Sequence, residues 1–157
     1  GETGSGKTTQ LPQYLLDAPS AWRAGAEGPP RIAITQPRRM AAVAMARRVS
    51  QERGTPLGDL VGYTIRFEDK SDAERTRLRY MTDGCLLREC LGDPELSGYD
   101  AVVLDEAHER SLHTDVLFAL AKRALEARRG TSHELRLLVT SATLDTAAFS
   151  AYFGGCP

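Results

Sequence analysis

Gly1-Glu2-Thr3-Gly4-Ser5-Gly6-Lys7-Thr8 is the stretch that decides the fold, and it matches G-x4-G-K-[ST] in full. Glycines at positions 1, 4 and 6 let the backbone curl, so that successive N–H groups point inward at one anion. The positive end of the following helix adds to that attraction. In such a loop Lys7 neutralises the β and γ phosphates of a nucleotide, and the Thr8 hydroxyl reaches a magnesium ion. Gly1, Thr3, Gly4, Ser5, Gly6, Lys7, Thr8 and Thr9 are therefore the candidate phosphate-binding set. The plain alternative is a glycine-rich turn that does no more than start a helix. A buried strand normally feeds a phosphate loop, and none precedes Gly1. The first strand is therefore expected to be missing, and the chain, which ends at Pro157, to be a piece cut at both ends.

Asp100-Ala101-Val102-Val103-Leu104-Asp105-Glu106-Ala107-His108 supplies the partner. Ala101 to Leu104 read as a buried strand that delivers Asp105 and Glu106 to its carboxyl edge, where open α/β sheets bind ligands. One carboxylate can orient magnesium through its waters, and the other can polarise the attacking water of a phosphoryl transfer. Thr8, Asp105 and Glu106 are thus the candidate metal-organising set, and Lys7, Asp105 and Glu106 the catalytic one. An acidic cap on the next helix is the alternative for the acidic pair taken alone. A phosphate loop in the same chain makes that alternative weak.

Between these motifs the periodicity alternates. Helices are expected over Lys7–Leu16, with Leu11, Tyr14 and Leu15 on one face, and over Arg39–Arg53. Further helices are expected over Cys85–Leu91, over Thr114–Arg129 with Val116, Leu117, Phe118, Leu120 and Leu125 inward, and over Thr146–Phe153. Strands are expected over Arg31–Thr35, from Val61 to Phe67, over Leu78–Met81, over Ala101–Leu104 and over Leu135–Thr140. Residues 17–30, rich in Pro and Gly, read as a loop. Strands alternating with helices imply one α/β domain over residues 1–157, a mostly parallel sheet with helices on both faces.

Composition adds limits. The 157 residues are 41% hydrophobic and 26% charged, ordinary for one globular domain, and the formal net charge of −1 leaves nucleic-acid binding to local charge. No apolar run approaches the ~20 residues of a membrane span, so no membrane partner is expected. Cys85, Cys90 and Cys156 are odd in number and lack metal-ligand spacing, which fits packing thiols in a reducing compartment. Cys85 and Cys90, five apart, should not share a helix face.

Together these and further motifs carry a specific resemblance. Asp105-Glu106-Ala107-His108 spells the motif that names the DEAH-box RNA helicases. Thr35-Gln36-Pro37-Arg38-Arg39 resembles their motif Ia, Thr82-Asp83-Gly84 their motif Ib, and Ser141-Ala142-Thr143 their motif III. Gly62-Tyr63-Thr64-Ile65-Arg66-Phe67-Glu68-Asp69 and the run from His108 to Asp115 also look like the family. The order is the family's, the likeness covers essentially the whole chain, and it is greatest to the eukaryotic branch that remodels spliceosomes and ribosome precursors.

The resemblance implies a RecA-like P-loop NTPase domain, the first of two, that hydrolyses ATP with Mg2+ and moves 3′ to 5′ along RNA. It implies Glu106 as general base, Asp105 as magnesium organiser, and His108, Ser141 and Thr143 as residues coupling hydrolysis to unwinding. Arg38, Arg39, Thr82 and Arg66 match positions near the RNA backbone. Arg48, beside Arg47, matches an arginine that stacks on the adenine, as a flat guanidinium can. It further implies a second RecA-like domain, an activating protein partner, an RNA-processing role such as mRNA splicing, and an intracellular, nuclear or nucleolar setting. Without the second domain the piece by itself is expected to be inactive. The competing readings are a P-loop NTPase acting on DNA or in transport, and a non-catalytic RNA-binding remnant. Leu96-Ser97-Gly98-Tyr99 does not complete a transporter signature, and intact Lys7, Thr8, Asp105 and Glu106 argue against a remnant.

Overall fold

A computed structural model of the protein describes residues 6–23, 28–109, 112–142 and 150–152. Short aliphatic runs pair side by side into one sheet: β1 (Ile32–Gln36), β2 (Val61–Ile65), β3 (Glu68–Lys70), β4 (Leu78–Thr82), β5 (Ala101–Leu104) and β6 (Arg136–Val139). Their spatial order is β3-β2-β4-β1-β5-β6, and every pairing is parallel except that of the β2–β3 hairpin. Parallel strands need covered faces. Every residue of β1 and β5 is buried accordingly.

The two-residue period of a strand divides the core in two. Ala33, Met81, Val102 and Leu104 point to one face and pack with α3 (Asp83–Gly92) and α4 (Leu112–Ala127). Ile32, Ile34, Leu78, Tyr80 and Val103 point to the other, beneath α2 (Arg39–Glu52) and the partly buried Leu11 and Leu15 of α1 (Lys7–Asp17). Leu86 on α3 and Leu117 on α4 are fully buried, and truncating either to alanine would cost about 2–5 kcal/mol.

Most expected elements stand within two residues of their expected ends, since apolar periodicity fixes an element's existence better than its boundaries. Three expectations need correction. Tyr14 does not join Leu11 and Leu15 inward but is 66% exposed, because α1 is held through Thr9, Pro12 and Gln13 instead. Val116 is also exposed; α4 buries Thr114, Leu117, Phe118, Ala121 and Ala124. Cys85 and Cys90 are both buried in one core cluster, as packing thiols. Phe67 is not in a strand: β2 ends at Ile65, and residues 66–67 turn the chain into β3, an element that the polar Glu68-Asp69-Lys70 does not announce. The expected last helix lies outside the described residues apart from helical Ser150–Tyr152, and Cys156 lies outside them too.

Gly62 is required where it stands. A Cβ there would come within 2.6 Å of the Lys70 carbonyl oxygen and 2.9 Å of the Ser71 Cβ, so only glycine lets the hairpin close this tightly.

Candidate nucleotide and nucleic-acid site

Because five strands run in parallel, their carboxyl ends lie along one edge of the sheet. Along it come, in spatial order, Arg66 after β2, Thr82 at the end of β4, Arg38 and Arg39 after β1, Asp105 and Glu106 after β5, and Ser141 after β6. The register fixes this: Gln36 pairs with Thr82, Thr35 with Leu104, and Leu104 with Val139.

The start of α1, which follows the phosphate-loop motif, meets the acidic pair there. Gly6, at φ 79°, caps α1 in the left-handed region open to glycine, and its carbonyl accepts the N–H of Gln10 at 2.6 Å. Lys7 is the first residue of α1. Thr8 donates its hydroxyl to Asp105 Oδ2 at 2.5 Å, and its carbonyl accepts the Tyr80 hydroxyl at 2.8 Å. Burial, and after it the nearby Asp105 carboxylate, hold the Tyr80 phenol well above its ordinary value, so it stays a donor. Thr9 is buried, with its carbonyl accepting from Gln13 Nε2 at 3.0 Å. Gly1, Thr3, Gly4 and Ser5 lie outside the described residues.

Asp105 is 4% exposed and takes three side-chain donors: Thr8, Gln36 Nε2 at 2.6 Å, and the Thr140 hydroxyl. A carboxylate so enclosed is held in one orientation beside the Thr8 hydroxyl. Hard oxygen donors of this kind fit Mg2+, which keeps most of its ligands as water and phosphate. Among the described residues no group of three or more His, Cys, Asp or Glu is placed to hold a metal ion by itself.

Glu106 has φ 56°, one of three non-glycine residues at positive φ among those described. That backbone turn directs its carboxylate away from the Asp105 network and toward His108, whose Nε2 stands 3.3 Å from Glu106 Oε2. His108 Nδ1 accepts the Ala142 N–H at 3.3 Å and lies 3.2 Å from the Ser141 hydroxyl. An accepting Nδ1 leaves the ring proton on Nε2, facing Glu106. His108 thus bridges the end of β5 and the end of β6, an arrangement reinforced by Ala107 N–H donating to the Thr140 carbonyl at 3.0 Å. Thr143 lies outside the described residues.

Farther along the edge the arginines gather. Arg38 is exposed and pairs with Glu109 at 3.2 Å. Arg39 Nη2 donates to the Arg66 carbonyl at 3.3 Å, joining α2 to the β2–β3 turn. Arg66 lies 4.7 Å from the ring centroid of Phe67, itself 88% exposed with φ 67°. Thr82 is half-buried, its hydroxyl 3.1 Å from Cys85 Sγ. Arg48 and Arg47 are both exposed on α2; Arg48 pairs with Glu52 at 3.0 Å. A cavity of about 470 Å³ lies elsewhere, around Arg31, Arg77, Arg79 and Tyr99, and includes none of these residues.

A family model described as DEAD/DEAH box helicase matches residues 1–150. The chain belongs to this family. It is similar to the ATP-dependent RNA helicase DHX33 of Homo sapiens, 52% identical over 158 aligned positions, which are 100% of this chain and 21% of that protein. The mouse ATP-dependent RNA helicase DHX33 is likewise 52% identical, with 22% of its length covered. The chain therefore spans about a fifth of these relatives. No helix of the described residues is long and apolar enough to cross a membrane.

The sequence motifs assign a role to Asp105 but none to two of its three partners, Gln36 within the stretch resembling motif Ia and Thr140 at a strand end. Gln36 and Thr140 are site residues by position, at the ends of the strands flanking β5, and only strand order reveals that. Phe67 was legible as an apolar residue but not as an exposed one.

Proposed function

We propose that this chain is the ATP-binding motor domain, the first RecA-like one, of a DEAH-box RNA helicase of the eukaryotic branch. The observation that carries it is the continuous edge on which the Thr8–Asp105 pair, the Glu106–His108–Ser141 bridge and the Arg38–Arg39–Arg66 group stand side by side. The names of the 52% identical relatives support the same activity.

In this reading the phosphate-loop N–H groups and Lys7 hold the β and γ phosphates of ATP. Thr8 and Asp105 would hold magnesium, which would supply charge neutralisation. Glu106 takes the proton of the attacking water; its turned backbone and the His108 Nε2–H fix where its carboxylate points. When phosphate departs, the Glu106–His108–Ser141 bridge passes the change to the end of β6 and, through Thr143, toward the rest of the motor. Arg38, Arg39, Arg66 and Thr82 hold the RNA backbone, with Phe67 offering an aromatic face beside them; such contacts position a strand without reading its sequence. Arg48 stacks on the adenine.

A second RecA-like domain completes the ATP site and the RNA channel, and an activating protein acts on the pair. Work on precursor RNAs, such as mRNA splicing, and a nuclear or nucleolar setting follow from the motif resemblance; the buried free thiols of Cys85 and Cys90 suit a reducing compartment. The test is Glu106→Gln in the protein expressed from its complete reading frame. ATP should bind with near-parental affinity while RNA-stimulated turnover falls about 10²–10⁴-fold, the usual contribution of a positioned base. Turnover within a few-fold of the parent would remove Glu106 from this role.

A further inference from the structure

The helix that follows the phosphate loop is seated on α2 by polar groups. α1 buries only Thr9, Pro12 and Gln13, and the residues joining it to α2 converge on one carboxylate. Glu52 Oε2 accepts from Gln10 Nε2 at 3.0 Å and from Gln13 Nε2 at 2.8 Å, while Oε1 accepts from Arg48 Nε at 3.0 Å. Gln13 is itself pinned. Its Nε2 also donates to the Thr9 carbonyl at 3.0 Å, and its Oε1 accepts Arg53 Nε at 2.7 Å. Arg53 in turn grips both oxygens of Asp17 at 2.8 and 2.7 Å. A chain of hydrogen bonds therefore runs from Arg48 through Glu52 to the first turns of the phosphate-loop helix.

We propose that Glu52 is a positioning residue for nucleotide binding, holding the Arg48 guanidinium edge-on and anchoring it to α1 so that its flat face is presented to the base. This rests on the reading of Arg48 as the adenine-stacking residue. The bond from Nε occupies one edge of the guanidinium and leaves both faces open, and the Arg48 side chain is 66% exposed. An unanchored arginine loses rotamer freedom when it stacks, whereas one already held loses less. The position requires a carboxylate. The amide of a glutamine at 52 would turn its NH2 either toward Arg48 or toward the NH2 of Gln13, which its bonds to Thr9 and Arg53 keep from flipping.

The experiment uses the complete protein and displaces a fluorescent ATP analogue with two probes, ATP and inorganic tripolyphosphate, which has no base. Arg48→Ala should weaken ATP about three- to tenfold, the scale of a cation–π contact, and leave tripolyphosphate within about twofold. Glu52→Ala should reproduce that pattern at about two- to fivefold, the scale of an exposed ion pair. The double variant should be no weaker than Arg48→Ala. If Glu52→Ala lowers the melting temperature, Glu52→Leu, which keeps the bulk and offers Arg48 no acceptor, carries the comparison. Parental ATP affinity in the Glu52 variants beside a weakened Arg48→Ala overturns the proposal, as does additivity in the double variant. Equal weakening of ATP and tripolyphosphate by Glu52→Ala also overturns it, making Glu52 a support for α1 alone. Unchanged ATP affinity in Arg48→Ala would instead remove the base-stacking reading itself, and this role of Glu52 with it.

Discussion

Thr8 and Asp105 meet at 2.5 Å although 97 positions separate them in the chain. The contact joins two distant segments: one partner lies in the first turn of the helix after the phosphate-loop motif, the other follows strand β5. Asp105 accepts from three hydroxyl or amide donors at once, Thr8, Gln36 and Thr140, which only a carboxylate can do.

Asp105→Asn should therefore be costly twice over. The new NH2 would face at least one donor, leaving a buried polar pair unsatisfied at about 1–3 kcal/mol. Thermal unfolding of the variant should show that loss, and ATP turnover by the complete protein should fall to background. A parental melting temperature would mean the carboxylate is not enclosed as described.

Gly62→Ala tests the other end of the sheet. Its added methyl would press on the Lys70 carbonyl oxygen, a backbone atom that cannot rotate away. A loss of about 1–3 kcal/mol is expected, as for overpacked cores, with faster amide exchange concentrated in residues 61–71. Stability equal to the parent's would show that the hairpin can open to admit a Cβ at no cost.

What the sequence made legible and what it hid divide along one physical line. Motif glycines, Lys7, Thr8 and the Asp105-Glu106 pair are local patterns, and the strands carrying them are continuous apolar runs, so both could be read from spacing. Strand order is not local. Gln36 and Thr140 become partners of Asp105 only because β1 and β6 flank β5. Tyr14 and Val116 sit at helical spacing with buried neighbours yet face outward, because periodicity gives the angular relation of residues but not how wide a stripe the sheet covers. The pairing of Arg39 with the turn at Arg66 depends on two strand ends being neighbours, which nothing in either segment states.

RNA affinity should fall steeply with salt and vary little with sequence, because the proposed contacts are to phosphates. Each phosphate contact on a single strand contributes about 0.7 to the slope of log affinity against log salt. Arg38→Ala combined with Arg39→Ala should flatten that slope by about one and a half. Titrating a labelled single-stranded RNA at several salt concentrations measures it, and an unchanged slope would place the RNA on another surface.

Asp83 gives the pH test, since it joins the end of β4 to the start of α4. One carboxyl oxygen accepts the Thr114 hydroxyl at 2.7 Å, and the other is buried. Burial holds this carboxyl above its ordinary value of 3.8. The Thr114 and Thr35 hydroxyls and His113 pull the other way, and Glu109 adds to the rise. The folded state thus binds the Asp83 proton more tightly than the unfolded chain does. Its stabilising contribution is complete below the unfolded value and is lost as pH rises through the raised folded one. Asp83→Asn keeps an acceptor for Thr114 and cannot ionise, so it lacks that loss. Melting temperatures of parent and variant, taken from about pH 4 to about pH 8, should diverge as pH rises, with the variant gaining on the parent. A gap that stays constant across the range would mean that the Asp83 proton is held no more tightly in the fold than in the unfolded chain.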